Sequence, residues 1–109
     1  MPTVYKVLGQ SAPAATTSTT LYTVPSATET IVSTIAVTNR AATAATFRIA
    51  VRPNGATLAN EHYISFDAPI SANDTLFITV GATLDATDVI TVYGSTANFS
   101  FTAFGSEIS

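Results

Sequence analysis

The sequence contains no cysteine and no tryptophan, and its single histidine is His62. Without cysteine there is no disulfide framework, no thiol nucleophile and no Cys-ligated zinc site. One histidine without clustered carboxylates cannot assemble a usual zinc site, so His62 is interpreted as a polar residue at the start of a strand. A phosphate-binding glycine loop, a nucleophile elbow and an HExxH motif are also lacking. These absences predict a protein that is not an enzyme, with no catalytic residues, no cofactor and no metal.

Charged residues are scarce, at 10% of the 109 residues against about 25% in an average globular protein. The net charge is -3, with four basic residues, so no basic patch can neutralise a row of phosphates and nucleic acid is not an expected partner. No stretch approaches the ~20 apolar residues of a membrane span, and no secretory signal pattern opens the chain, so we expect synthesis in a cytoplasm and no membrane contact. Because sparse charge weakens the defence against association, the composition favours a homo-oligomer.

What the sequence has instead is a series of short segments rich in threonine and valine, in which apolar and polar residues alternate. In Thr46–Arg52 a large apolar residue stands at every second position, which is typical of a strand with one face in water. Glu29–Asn39 is the longest such segment. Its pattern predicts that Ile31, Ile35 and Val37 share one face and that the other face holds Val32, Thr34, Ala36 and Thr38.

Eight such segments, separated by turn signals, predict an all-β chain. The predicted strands are Val4–Gln10, Thr19–Val24, Glu29–Asn39, Ala45–Arg52, His62–Phe66, Asp74–Val80, Val89–Tyr93 and Asn98–Phe104. Pro53-Asn54-Gly55 is the clearest turn, and Gly94-Ser95-Thr96 is predicted to join the last two strands into a hairpin. We therefore expect one antiparallel β-sandwich over residues 1–109, jelly-roll or immunoglobulin-like, with residues 1–18 as an N-terminal arm and loop.

Three aspartates, Asp74, Asp85 and Asp88, are the one hint of a cation site, since Ca²⁺ takes several oxygen ligands. Their spacing does not match an EF-hand loop. The segment Leu84–Val89 is better interpreted as a tight turn whose aspartate side chains cap backbone N–H groups. No metal ligand is assigned on this pattern.

Arginines supply one group of candidate interface residues. Arg48 and Arg52 are predicted to lie on the water-facing side of one strand, with Arg40 in the turn before it. Such a row either contacts an acidic partner or is simply solvated, with exposed ion pairs worth well under about 1 kcal/mol each. Both interpretations stay open at the level of sequence.

Aromatic residues supply a second group. Phe77, Tyr93 and Phe104 each stand out of phase with the aliphatic residues of their own strand. Most other aromatic side chains follow strand periodicity and are predicted to lie in the core or along its edges. The three exceptions are predicted to pack on a second face, against a neighbouring subunit.

Segments spread over nearly the whole chain carry a resemblance to a known family. They are Leu21–Pro25, Glu29–Asn39, Phe47–Pro53, Ile70–Thr75, Leu84–Val92 and Phe104–Glu107. In this arrangement the chain resembles small β-sandwich virion proteins of tailed phages, particularly those of cyanobacteria and marine bacteria. The resemblance implies a non-enzymatic structural protein of the virion, made in the host cytoplasm.

Two locations on the particle compete within this resemblance. A capsid decoration (cement) protein would sit on the outer shell as a homo-oligomer, with a trimer favoured, and clamp neighbouring major capsid subunits. Its segment Pro2–Leu8 would then augment a neighbour's sheet edge, with Val4, Tyr5 and Lys6 as interface residues and Tyr5 as the anchor. The alternative is a tail, baseplate or fibre-associated module. Small size, a single domain and low charge favour decoration.

A hypothesis from a different class is a carbohydrate-binding module for host recognition. It rests on the frequent use of β-sandwiches for this purpose. Sugar sites usually present exposed aromatic platforms, and Tyr63 and Tyr93 are the candidates in this sequence.

Overall fold

The computed structural model describes residues 2–109, which form eight β-strands and two 3₁₀ turns. The strands are β1 (Thr3–Ser11), β2 (Thr19–Thr23), β3 (Glu29–Asn39), β4 (Ala45–Arg52), β5 (Tyr63–Ile70), β6 (Thr75–Leu84), β7 (Val89–Gly94) and β8 (Phe99–Ile108). The turns, Pro53–Gly55 and Asn60–His62, both lie between β4 and β5. No helix in the described part of the chain has the length and apolarity needed to cross a membrane.

The strands form two antiparallel sheets of four, which confirms the predicted sandwich. The first sheet has the order β1-β8-β3-β6 and the second has the order β2-β7-β4-β5. Pairing is therefore nested along the chain, because β1 pairs with β8, β2 with β7, β3 with β6, and β4 with β5. This is the arrangement of a long hairpin wound into two sheets, so the jelly-roll alternative is the one that the strand order supports.

The core lies between the sheets and is built on three phenylalanines. Phe47 of the second sheet packs against Phe99 and Phe101 of the first, with ring centroids 6.3 and 6.4 Å away. Around them lie buried aliphatic side chains from both sheets, among them Leu21, Val24, Val32, Ile35, Val37, Ile49, Ile90 and Val92. Phe47 and Ile49 therefore lie in the core together, as the alternation of apolar and polar residues in β4 predicted.

The prediction for the faces of β3 was wrong at two residues, Ile31 and Val32. The chain contains a β-bulge at Ser33, where the register with both β6 and β8 shifts between Val32 and Thr34. One extra residue moves every side chain before it to the other face. Val32 is therefore in the core with Ile35, while Ile31 is 40% exposed on the outer surface.

The predicted hairpin between the last two strands was also wrong. The connection through Gly94-Ser95-Thr96 crosses from the second sheet to the first, so β7 and β8 face each other across the core and do not pair. β7 pairs with β2 and β4, whereas β8 pairs with β1 and β3. A local turn signal identifies the bend but not which sheet the next strand joins.

Two strands continue past glycines at which the sequence pattern predicted an end. β8 runs through Gly105, where an added Cβ would overlap the carbonyl oxygen of Ile31 on β3. β6 runs through Gly81, which has a φ of +60° at the irregularity opposite the Ser33 bulge. In both places glycine serves close approach or backbone bending inside the sheet rather than a turn.

Candidate interaction surfaces

The outer face of the first sheet is apolar and nearly free of charge. We call it the apolar face and define it by Tyr5, Val7, Ile31, Phe77 and Phe104, which are between 36% and 84% exposed. Directly paired residues share a face, and the pairs Val7 with Phe104 and Tyr5 with Ser106 place these side chains together. The intervening positions are mostly threonine and serine. A surface of this composition costs little to desolvate, which suits a protein partner.

One part of the apolar face is concave. The depression is lined by Tyr5 from β1, by Phe104, Ser106 and Ile108 from β8, and by Ile31 from β3. Ser106 forms its floor and is 7% exposed. Ile31 reaches this surface only because of the bulge at Ser33. The depression is shallow and offers a seat for an apolar side chain of a partner.

A polar network beside this face fixes the ends of β1 and β8. The Tyr22 hydroxyl donates to Glu107 Oε2 at 2.5 Å, so it accepts from the Thr30 hydroxyl at 2.8 Å. Lys6 Nζ donates to Glu107 Oε1 at 3.2 Å. Desolvation, followed by the hydrogen bond to Glu107, raises the pKa of Tyr22 to about 12, while the Tyr22 hydrogen bond lowers the pKa of Glu107. The network pairs Lys6, which also lines the depression, with the carboxylate of Glu107, so its charge is matched within the chain.

The outer face of the second sheet carries an aromatic cluster, which we define as Arg48, Tyr63, Phe66, Asp67 and Tyr93. The Arg48 guanidinium carbon lies 4.2 Å from the ring centroids of both Phe66 and Tyr93. Arg48 Nε and Nη2 donate to the Asp67 carboxylate at 2.6 and 3.3 Å. Tyr63 meets Phe66 edge to face at 4.9 Å. Stacking and ion pairing together make this a rigid platform.

The arginines do not form a single patch. Arg48 and Arg52 lie on the outer face of β4 as predicted, but Arg52 donates to Thr91 Oγ1 and to the Ala56 carbonyl oxygen, both at 3.1 Å. Arg40 contacts the start of β8, where its Nε donates to Ser100 Oγ at 2.9 Å. Each arginine is therefore engaged within the chain, which disfavours the interpretation as a binding row for an acidic partner.

The predicted interface residues separate onto the two sheets. Val4, Tyr5, Lys6, Phe77 and Phe104 belong to the first sheet, whereas Arg48, Arg52 and Tyr93 belong to the second. Within β1, alternation places Tyr5 on the apolar face and Val4 and Lys6 on the inner side.

The three aromatic residues that stand out of phase with their strands lie on outer faces, and their packing against a neighbouring subunit stays a prediction. Phe77 is 70% exposed and Phe104 36% exposed on the apolar face, and Tyr93 lies on the outer face of the second sheet. Phe66 is one of the other aromatic residues, which were predicted to lie in the core or along its edges, and it is 55% exposed on the outer face. Its strand has irregular pairing with β4, so alternation alone could not assign its face.

The polar residues considered for chemistry have structural roles. Asp88 accepts hydrogen bonds from the backbone N–H groups of Asn54 and Asp85, at 2.8 and 2.9 Å, as expected for a capped turn. His62 Nδ1 accepts from the N–H of Ala59 at 3.0 Å, just before β5. Across residues 2–109 no group of three or more His, Cys, Asp or Glu side chains is placed to hold a metal ion.

Comparison of the chain with protein-family models, with curated proteins and with solved structures finds no match in any of the three. Inference about function therefore depends on the two outer faces themselves. One is apolar and nearly uncharged, and the other is an aromatic platform with a fixed arginine. Neither is a cleft lined by titratable groups.

Proposed function

We propose that this chain is a non-enzymatic structural protein of a tailed-phage virion. In this proposal it sits on the outer shell of the capsid as a homo-oligomer and clamps neighbouring major capsid subunits. The observation that carries the proposal is the apolar face, with Tyr5 at 84% and Phe77 at 70% exposure on a sheet of otherwise small, uncharged side chains. A surface of this kind is expected to be covered by protein in the working state.

The size of the apolar face fits attachment by many weak contacts. A fully buried aromatic side chain covers about 150–250 Å², so the exposed parts of Tyr5 and Phe77 amount to about 300 Å². At about 25 cal/mol per Å² their burial contributes about 7 kcal/mol, before the entropy cost of association. One copy would thus attach modestly. The sum over a closed shell would be large, and no chemical step is needed.

The fold is compatible with this role without selecting it. Jelly rolls occur in viral capsid proteins and in lectins, and a shared fold does not carry a shared function. The preference for a shell protein over a sugar-binding module comes from the composition of the apolar face and from the resemblance to phage virion proteins. A tail, baseplate or fibre-associated position is the alternative on the same particle.

The copy number in purified particles tests the proposal. Mass spectrometry, normalised to the major capsid protein, is expected to find hundreds of copies of this chain. A few to a few tens of copies would move the protein to the tail region and reject the decoration role. Absence from particles would reject the virion proposal altogether.

Variants of the two faces test which one docks. Tyr5→Ser is expected to lower particle occupancy, because it removes the most exposed side chain of the apolar face. Tyr63→Ser, the same change on the opposite sheet, is the matched control and is expected to leave occupancy unchanged. Equal loss in both variants would show that the apolar face has no special part in docking.

The aromatic cluster favours a second candidate function, carbohydrate binding during host recognition. Tyr63 and Phe66 line a small open pocket together with Asn60, which places an amide beside two aromatic rings. Apolar faces of sugars stack on such rings while amides bind their hydroxyl groups. A glycan array tests this candidate, and binding should be lost in Phe66→Ala. Absence of binding at high protein concentration would reject it.

A further inference from the structure

The two free edges of the first sheet are complementary to each other. β1 forms one edge and β6 the other, and all neighbours in the order β1-β8-β3-β6 are antiparallel. We propose that β1 of one copy pairs with β6 of the next, so that the first sheet continues from copy to copy. This inference deepens the proposed function and rests on it for its setting on the particle, but the contact itself can be measured in solution.

The β6 edge has few of the features that block pairing, and the one present is the irregularity at Gly81. Its ten residues, Thr75–Leu84, contain no charged residue and no proline. Among the described strands, β6 pairs only with β3, so the backbone N–H and C=O groups along its other edge have no strand partner. Natural edge strands of this length usually carry a lysine, a proline or a cover. An edge of ten residues with only the Gly81 irregularity to protect it is expected to be paired in the working assembly.

The β1 edge is of similar length and is exposed on both of its faces. It has nine residues, among which Val4, Tyr5 and Val7 are 50%, 84% and 47% exposed. Its one charged residue, Lys6, has its ammonium group bound to Glu107. Because β1 exposes apolar side chains on both of its sides, a neighbouring strand paired to its edge would cover them both on the core side and on the outer side of the sheet.

Strand alternation determines how the two edges meet. On the core side, Ile78 and Val80 of β6 line an open slot with Ile64 of β5, which is 49% exposed. When a neighbour's β1 continues the sheet, its Val4 lies on the same side as this slot. Its Tyr5 then lies on the outer side with Phe77, which joins the apolar faces of adjacent copies.

The strand directions favour a head-to-tail contact. Copies with the same orientation automatically bring β1 antiparallel to β6, and repetition of a head-to-tail contact closes into a ring when the rotation permits. The competing two-fold pairing of β6 with itself, over its full length, would place Asp74 opposite Asp85 at both ends. Like charges directly opposite each other are unfavourable. The inferred contact is therefore head to tail, and it generates a homo-oligomer that is cyclic when the rotation between copies closes.

Cysteine cross-linking tests this contact, because the native chain has no cysteine. Tyr5→Cys is placed on the outer side of β1, and Thr75→Cys, Thr79→Cys and Thr83→Cys on the outer side of β6. Mixing the β1 variant with each β6 variant under mild oxidation is expected to give a disulfide dimer for at least one of the three, which reports the register. Two controls should give no cross-link. The first is each variant alone, and the second is a mixture of Tyr5→Cys with Thr20→Cys, which lies on β2, an edge strand of the second sheet.

Sedimentation of the full-length chain completes the test, and an oligomer is expected. A monomer at all concentrations up to about 1 mM would overturn the inference, since that concentration reveals even weak association. An oligomer in which β6 variants cross-link only with themselves, or in which no pair cross-links, would overturn it as well. Specific β1 to β6 cross-linking with few copies in particles would instead uphold the contact and reject the decoration function.

Discussion

Asn39 offers the most informative test of how the sandwich is held together. This residue ends β3 and is fully buried, although asparagine at a strand end is usually an exposed turn residue. Its Nδ2 donates to the carbonyl oxygens of Thr43 and Ser71, at 2.9 and 3.2 Å, and its Oδ1 accepts from the N–H of Ala41 at 3.0 Å. One side chain thus ties the β3–β4 connection to the β5–β6 connection.

The change Asn39→Ala is expected to lower the free energy of unfolding by about 3 kcal/mol. It removes these three hydrogen bonds, each with a net contribution of about 1 kcal/mol, and a longer one of 3.5 Å to the Ile70 carbonyl oxygen. Burial prevents water from replacing all of them, because the side chain is completely enclosed.

Urea unfolding at a fixed protein concentration measures this loss. With a slope of about 2 kcal/mol per M, a loss of about 3 kcal/mol lowers the midpoint by about 1.5 M. Asn60→Ala is the control, because Asn60 is exposed, and its effect should stay within about 0.5 kcal/mol. A cost below about 1 kcal/mol for Asn39→Ala would refute the idea that this side chain joins the two connections.

Three further predictions concern the polar network and one close backbone approach. Because the pKa of Tyr22 is raised to about 12, its hydroxyl stabilises the fold fully below pH 10, and this stabilisation is lost between about pH 10 and 12. A pH titration followed by phenolate absorbance should show a step near pH 12 that is missing in Tyr22→Phe. Because the pKa of Glu107 is lowered in the folded state, its carboxylate stabilises the fold at pH values above the ordinary pKa of glutamate, and this contribution is lost as the pH falls through the lowered pKa. The urea stability of Glu107→Gln should therefore depend less on pH between about 7 and 3 than that of the native chain. An unchanged pH dependence would contradict the role of the network. Gly105→Ala should lower the free energy of unfolding by about 1–3 kcal/mol, because the added Cβ would overlap the carbonyl oxygen of Ile31. An unchanged midpoint in thermal melts would mean that β8 and β3 can move apart at no cost.

Much of the fold could be predicted from the sequence, because strand formation depends on local alternation. β3 and β4 begin and end at the predicted residues. Phe47 and Ile49 lie in the core, and Arg48 lies on the outside, as a period of two requires. The turn at Asn54 has the positive φ that its residue type suggested.

The errors arose where non-local contacts override the local pattern. The bulge at Ser33 exchanged the faces of Ile31 and Val32. No residue type in β3 indicates that this strand has one residue more than its partner β8 at that point. Gly105 looked like the end of a strand because its use, a close approach to β3, depends on a residue more than seventy positions away.

By itself, the sequence determined the class of the protein: an all-β sandwich with little charge, no cysteine and strands defined by alternation of neighbouring residues. Only the tertiary structure decided the nested strand order, the burial of Asn39, and the gathering of Tyr5, Ile31, Phe77 and Phe104 on one uncharged face. The physical reason is that alternation reports which side of a strand a residue occupies, whereas pairing partners, register shifts and free edges are set by long-range packing between the two sheets.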